Sequence, residues 1–220
     1  MTTSATSTRE FEIAEAVDEA FERCGIDPAT LTARHLRSAR RSLDLLFTEW
    51  DNKGIHLWAV DSQTTDMIAS TASYATPTNI IGVLEVVLRR SGLDTPVFPM
   101  SRDQYQNIPD KTMEGMPSNY WFDRDATTPT LYLWPVPDTA TDDLVYYYMR
   151  RLQDAGGAAY TADVPYRWSE AVISGLAAKL SEKFAPDREN FLRNKAGARY
   201  KEADVEDRER APTQFKVRYR

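Results

Sequence analysis

Apolar side chains recur at three- and four-residue steps near both ends of the chain, which predicts amphipathic helices there. Toward the N-terminus the spacing predicts one helix over about 9–24 and a second over about 28–52. Gly25 is placed to end the first helix. The apolar positions are Ile13, Val17, Ala20, Phe21 and Cys24 in the first helix, and Leu36, Ala39, Leu43, Leu46, Phe47 and Trp50 in the second.

Two further helices are predicted toward the C-terminus. Asp163 and Pro165 are residue types that open helices, and the stripe behind them predicts a central core helix over 163–184. Small residues in this stripe allow another helix to approach closely. A last helix, over about 187–210, has a thin apolar face and dense charge. The stripes are Trp168, Val172, Gly175, Leu176, Leu180 and Phe184 in the core helix, and Phe191, Leu192, Ala198 and Val205 in the last.

Between the helical regions, branched and aromatic residues alternate with polar ones, which is typical of strands. We expect a meander whose last strand closes the sheet, with a helical turn or two at 101–107. The predicted extended segments are 55–60, 67–74, 80–90, 93–99, 119–124, 130–137 and 144–152.

These elements predict an α+β fold: a four-helix body made of two N-terminal and two C-terminal helices, an inserted antiparallel β subdomain, and an extended C-terminal tail. The expected parts are an N-terminal helical pair at 1–54, the β insert at 55–160, a C-terminal helical pair at 161–210 and the tail at 211–220. The residues expected to anchor the core are Trp50, Trp168, Leu176 and Leu180.

Charge is distributed unevenly. The formal net charge is −6 for the whole chain, and an acidic middle segment at 61–160 argues against tight wrapping of nucleic acid. Four arginines lie off the apolar stripe of the second predicted helix, where they form either a solvated face or a ridge that faces a partner. They are Arg34, Arg37, Arg40 and Arg41.

The sequence contains no recognisable catalytic or cofactor motif. His35 and His56 lack a second ligand at metal-site spacing, and the lone Cys24 is expected to be a small buried hydrophobe. The neighbouring carboxylates at 123 and 125, and at 142 and 143, could serve a hydrolase, but acidic residues are abundant here. We therefore expect no enzyme activity, cofactor or metal. No apolar run approaches the roughly 20 residues that span a bilayer.

Aromatic residues crowd into the predicted sheet and are expected to face both of its sides. They form either a sheet core covered by the helices or a face that meets a partner, a role for which Tyr and Trp are favoured. A carbohydrate platform is a further alternative. The residues are Tyr120, Trp121, Phe122, Tyr132, Trp134, Tyr146, Tyr147 and Tyr148.

The order of these segments resembles the head-to-tail adaptor (connector) proteins of tailed bacteriophages, of the tail tubular protein A or tail accessory factor type. The resemblance covers about residues 10–200. The segments that carry it are Leu-Phe-Thr-Glu-Trp50-Asp-Asn-Lys-Gly54 followed by Ile-His-Leu-Trp58, then Leu-Tyr-Leu-Trp-Pro-Val-Pro137, Asp163-Val-Pro165 before Trp168, and Leu176-Ala-Ala-Lys-Leu180.

The resemblance implies a structural virion protein of the neck, assembled in the host cytoplasm. Such adaptors form a homo-oligomeric ring, typically of twelve copies, between the portal protein and a distal tail or nozzle protein. DNA passes through the lumen without specific binding, and no membrane is involved. The family has no shared catalytic residues to carry over. A glycan- or host-surface-binding tail module is the alternative function.

The resemblance also implies that the C-terminal segment grips the portal. The tail follows Pro212 and alternates apolar with basic residues, so we expect it to become ordered by docking on the portal. A terminal segment without a role is the alternative. The expected portal-binding residues are Phe215, Lys216, Val217, Arg218, Tyr219 and Arg220.

Overall fold

The computed structural model describes residues 12–54 and 57–207 and divides the chain into two compact units. The helical unit comprises Met1–Trp58 and Leu152–Arg220, and the β unit comprises Ala59–Arg151. Helices and a large sheet are both present, which confirms the α+β class. The described helices are α1 (Ile13–Cys24), α2 (Ala33–Asp51), α3 (Arg102–Gln106), α4 (Ser169–Phe184) and α5 (Glu189–Glu206).

Short 3-10 turns replace α-helix at three predicted helix starts. Pro28–Thr30 is such a turn, capped by the Asp27 carboxylate, and α2 begins only after it. The predicted core helix likewise opens with a 3-10 turn at Tyr166–Trp168, and the last helix with one at Pro186–Arg188. Pro near the start of each turn fixes φ, which suits either helix type. Residues 208–210 of the last predicted helix, and residues 9–11 of the first, lie outside the described residues.

The apolar stripes were wrong at several positions. Leu36 is 49% exposed, while Ser38 and Ser42 are buried because the Lys183 ammonium donates hydrogen bonds to both hydroxyls. In α5, Phe191, Ala198 and Val205 are exposed. The inward side of α5 instead follows 192, 196, 200 and 203, at steps of four and three; the first and last of these are buried, and the two between them are partly buried.

The β unit contains a seven-stranded mixed sheet with the order β1-β9-β3-β4-β6-β7-β2, and β5 and β8 pair separately. Neighbours in the large sheet are antiparallel except β4 and β6, which are parallel. The described strands are β1 (Val60–Asp66), β2 (Ser73–Ala75), β3 (Ile80–Arg90), β4 (Leu93–Pro99), β5 (Glu114–Gly115), β6 (Asn119–Asp123), β7 (Thr130–Trp134), β8 (Val136–Pro137) and β9 (Asp143–Arg150).

The predicted purely antiparallel meander is therefore wrong. The connection from β4 to β6 contains α3, so it is long enough to bring β6 alongside β4 in the same direction. β9 does not close the sheet but lies between β1 and β3, a position that suits its largely buried side chains.

Two predicted strands near the start of the β unit were also wrong. Leu57–Ala59 is a 3-10 turn, and residues 55 and 56 lie outside the described residues. The strand predicted at 67–74 is shifted: β1 ends at Asp66, and only Ser73–Ala75 is extended. The sequence pattern does not predict β1, because β1 is an edge strand whose mostly exposed side chains are polar.

One hydrophobic core joins both halves of the large sheet. Leu144 of β9 and Leu88 of β3 come from one half, and Leu131 and Leu133 of β7 from the other. All four are buried in a single cluster, so the sheet curls around its own interior.

Candidate functional site

Helix α4 is the central element of the helical unit, packing against α1, α2 and α5. Its close approach to α2 depends on Gly175, because a Cβ there would lie 2.8 Å from Leu46 Cδ2. The Cys24 thiol on α1 donates to the Ala177 carbonyl oxygen of α4 at 3.4 Å, and burial raises the pKa of this thiol. Cys24 is thus a buried packing residue.

Aromatic rings fill the space at the start of α4. The Trp168 ring lies 4.7 Å from Trp58, 5.1 Å from Trp50 and 5.4 Å from Tyr200, measured between ring centroids. Burial, with the nearby carboxylates of Asp204 and Glu49, raises the pKa of Tyr200 to about 12. Trp50, Trp168, Leu176 and Leu180 are all buried.

Carboxylates hold the chain that returns from the β unit. The Asp44 carboxylate accepts the Ala155 N–H, and the Asp51 carboxylate accepts the Leu152 N–H. Asp163 is not the N-cap residue that the sequence predicts, because Pro165 holds that position before the 3-10 turn; the Asp163 carboxylate accepts the Gln153 N–H. At the end of α5, the buried Asp207 carboxylate accepts from the Arg167 guanidinium and from the Leu57 N–H.

Ion pairs connect α4 to the two N-terminal helices. The Arg23 guanidinium of α1 donates to both Glu170 oxygens at 2.8 Å, and this hydrogen bonding lowers the pKa of Glu170. On α2, Glu49 accepts from Lys53 and from Lys179 of α4, which lowers the pKa of Glu49. Both carboxylates are ionised partners whose pairing favours the folded state.

Acid is therefore expected to destabilise the helical unit. The folded-state pKa values of Glu49 and Glu170 lie below 4.5. The stability that these two carboxylates contribute is therefore complete above pH 4.5, and it is lost as the pH falls through their folded-state pKa values. Both carboxylates are nearly half exposed, so each contributes about 1 kcal/mol or less. The Glu49→Gln, Glu170→Gln double variant should have a lower Tm than the wild-type chain near neutral pH. Its Tm should also fall less than that of the wild-type chain when the pH is lowered.

Melting curves followed by circular dichroism between about pH 3 and pH 7 measure this dependence. Glu22→Gln is the matched control, because Glu22 is exposed and forms no ion pair with the described residues. Equal acid dependence in the double variant and the control would contradict the assignment.

An acidic groove of about 810 Å³ lies beside α1. Tyr166 borders it and is 62% exposed. Two cations also line the groove, but Arg23 is bound by Glu19 and Glu170, and Arg167 by Asp207. The carboxylates of the acidic groove are Glu15, Asp18, Glu19, Glu22 and Glu170.

The exposed side of α2 is basic. We call basic face the set of exposed side chains formed by Arg34, Leu36, Arg37, Arg40, Arg41 and Leu45. None of its four arginines forms an ion pair with a carboxylate in 12–54 or 57–207. The buried side of the same helix carries Leu43, Leu46 and Phe47.

The aromatic residues of the β unit do face both sides of their strands. On β9, Tyr146 and Tyr148 are buried in the sheet core, while the intervening Tyr147 is about half exposed. On β6 and β7, Trp121 and Tyr132 stack with ring centroids 4.9 Å apart. Tyr105 of α3 covers this pair, so much of its aromatic surface is used within the fold.

The remaining candidates for chemistry have structural contacts. His35 Nδ1 accepts the Thr32 N–H at the start of α2, and its ring packs on Phe21 and Phe184. Asp125 accepts two N–H groups of its own turn, and the buried Asp142 pairs with Arg90. Within the described ranges no cluster of metal-ligating residues occurs, and no helix is long and apolar enough to cross a membrane. His56 and the predicted portal-binding residues 215–220 lie outside these ranges.

Comparison with protein families matches residues 12–218 to the SU10 adaptor protein family. The match runs through both units, from the start of α1 to beyond α5. The chain belongs to the SU10 adaptor protein family. This SU10 adaptor is thus a structural adaptor of bacteriophages and a component of the virion neck, and its family is not an enzyme class. A comparison with curated proteins finds no match.

Proposed function

We propose that this SU10 adaptor forms a ring beneath the portal, joins the capsid to the tail and provides a channel for DNA. The observation that carries this proposal is the family match, which spans both the helical unit and the β unit. The order of motifs favours, within head-to-tail adaptors, the tail tubular protein A or tail accessory factor type.

The proposed partners are the portal protein, neighbouring copies in a ring of twelve as the resemblance implies, and a distal tail or nozzle protein. DNA passes through the lumen without specific binding, which agrees with a net charge of −6. The ring is built in the host cytoplasm and remains in the virion.

Inactivating the gene in the phage tests this function. We expect DNA-filled heads without tails to accumulate, and expression of the chain in trans to restore tailed particles. Tailed particles that merely fail to adsorb to the host would contradict the adaptor and support a glycan- or host-surface-binding module. That second function is favoured by one observation, the half-exposed Tyr147 of β9 on a strand rich in aromatics.

We further propose that the C-terminal segment at 211–220 binds the portal. Its apolar Phe215, Val217 and Tyr219 alternate with basic residues, a pattern that can add to a sheet edge or occupy a groove. A single copy of such a segment binds weakly, but copies held in a ring bind together with high avidity.

Deleting residues 212–220 should abolish assembly on the portal while leaving helix content unchanged. We expect portal affinity to fall at least tenfold, because removing even a weak contact from every copy removes the avidity of the whole ring. Pull-down on purified portal, with circular dichroism on the same sample, measures both. The triple variant Lys216→Ala, Arg218→Ala, Arg220→Ala separates charge from the apolar positions. Normal assembly by the truncated chain would show that the segment has no such role.

A further inference from the structure

No carboxylate among the described residues pairs with the arginines of the basic face of α2, and the composition of this face indicates a protein partner. Arg34, Arg37 and Arg41 follow one another at three- and four-residue steps, so their side chains line the same side of the helix. Leu45 continues that line and is 60% exposed. A line of cations that form no ion pair within 12–54 and 57–207, and that ends in an exposed leucine, combines charge with apolar contact, as protein interfaces do.

A complementary surface exists in the same helical unit. On α1, Glu15, Asp18 and Glu22 also recur at three- and four-residue steps and line one wall of the acidic groove. The exposed ring of Tyr166 borders these carboxylates and provides the apolar and aromatic counterpart to Leu45. Charges of opposite sign thus repeat with the same helical period on the two surfaces.

The two surfaces do not neutralise each other within one chain. The carboxylates of the groove that form ion pairs bind Arg23 and Arg199, and none of them binds an arginine of the basic face. α1 and α2 are held by separate contacts with α4, through Cys24 to Ala177 and through Leu46 to Gly175. In the part of the chain that the structure describes, neither surface covers the other, which leaves both for contact with a second copy.

We propose that the basic face of one copy binds in the acidic groove of the next copy, and that this contact is the lateral interface of the ring. The inference rests on the proposed ring. A contact between two different surfaces of identical chains is heterologous, and its repetition closes a ring when the rotation allows. Long-range attraction between the faces also orients the copies as they meet.

DNA is the other polyanion that four arginines could bind. The exposed Leu36 and Leu45 within the basic face favour protein, because phosphate recognition relies on polar and charged groups. The presence of a matching groove on the same chain favours a second copy over an unrelated protein.

Two charge-reversed variants test the contact. Variant A carries Arg37→Glu and Arg41→Glu, which makes the line of Arg34, Arg37 and Arg41 net negative. Variant B carries Asp18→Lys and Glu22→Lys, which makes the line of Glu15, Asp18 and Glu22 net positive. We expect each variant alone to self-associate at least about tenfold more weakly than the wild-type chain, since like charges would face each other. An equimolar mixture of A and B should regain wild-type association, because every contact in an alternating assembly is attractive again. Recovery in the mixture also shows that both variants are folded.

Sedimentation equilibrium at high micromolar concentration, at low and at high salt, measures this association without any portal. Arg102→Glu with Lys201→Glu is the matched control: it makes the same charge change as variant A at exposed cations outside both surfaces. The control should associate like the wild-type chain. No recovery in the mixture, or equal weakening in the control, would overturn the proposal.

The same variants separate this inference from the proposed function. On purified portal, A and B should each bind as isolated copies, whereas their mixture should fill the ring cooperatively. If the mixture recovers in solution but nothing binds portal, the lateral contact stands and the adaptor function fails. If A instead loses wild-type affinity for duplex DNA while mixing restores nothing, the basic face is a DNA contact and the inference is wrong.

Discussion

Replacing Trp168 by alanine is expected to lower the free energy of unfolding of the helical unit by about 3–5 kcal/mol. Trp168 is fully buried, and its ring contacts those of Trp50, Trp58 and Tyr200. Alanine would lose the transfer free energy of the indole and leave a cavity between rings that come from separate segments. Aromatic pairs add a further contribution beyond burial of area.

Urea unfolding followed by tryptophan fluorescence and circular dichroism measures this loss. Phe191→Ala is the matched control, because Phe191 is also a large aromatic in the helical unit but is 69% exposed. Its replacement should change stability by about 0.5 kcal/mol or less. A Trp168→Ala variant as stable as this control would mean that Trp168 is not the packing centre.

Replacing Leu131 by alanine should destabilise the β unit by about 2–5 kcal/mol. Leu131 is fully buried on β7 and belongs to the same cluster as Leu88 and Leu144, which lie on the other half of the sheet. A cavity at this position would weaken contacts on both halves at once.

Leu93→Ala is the control for this second change, because Leu93 lies in the same unit and is 74% exposed. We expect little change in that variant. Hydrogen exchange resolves the effect by strand: amides of β7 and of β9 should both lose protection in the Leu131→Ala variant. Loss confined to β7 would indicate two separate cores.

The helices could be predicted from the sequence because packing on α4 imposes a 3.6-residue period on every face it buries. Their starts could not, since a Pro-containing first turn suits a 3-10 turn as well as an α-helix, as at Pro28 and Pro186. Ser38 and Ser42 could not be assigned to the buried side either. Their burial depends on Lys183, which is distant in the sequence.

The sheet was less predictable because its pairing is non-local. The pattern of β3 predicts a strand, but nothing in it shows that β9 will lie on one side and β4 on the other. β1 contains mostly polar residues and is stabilised by its ladder with β9, in which Val60 opposes Met149. Edge strands of this kind lack the apolar alternation on which sequence reasoning relies.

Of the two charged surfaces, only the basic face could be predicted from the sequence. The arginines of α2 lie off the apolar stripe, and a partner-facing ridge was one of the two interpretations of them. The acidic groove could not be predicted from the sequence, although Glu15, Asp18 and Glu22 recur at helical spacing. Its position depends on Tyr166 and Glu170, which the fold brings beside α1 from more than a hundred residues away in the chain.

The mass of the chain in solution, with and without the purified portal of the same phage, tests the adaptor function most directly. The thin apolar face of α5 and the net negative charge leave little self-association energy, so we predict a chain that is monomeric at low micromolar concentration and associates only weakly at higher concentration. With portal, we predict a discrete complex that carries a closed ring of copies. A stable ring without portal would contradict the templated assembly, and a chain that stays monomeric in the presence of portal would contradict the adaptor function itself.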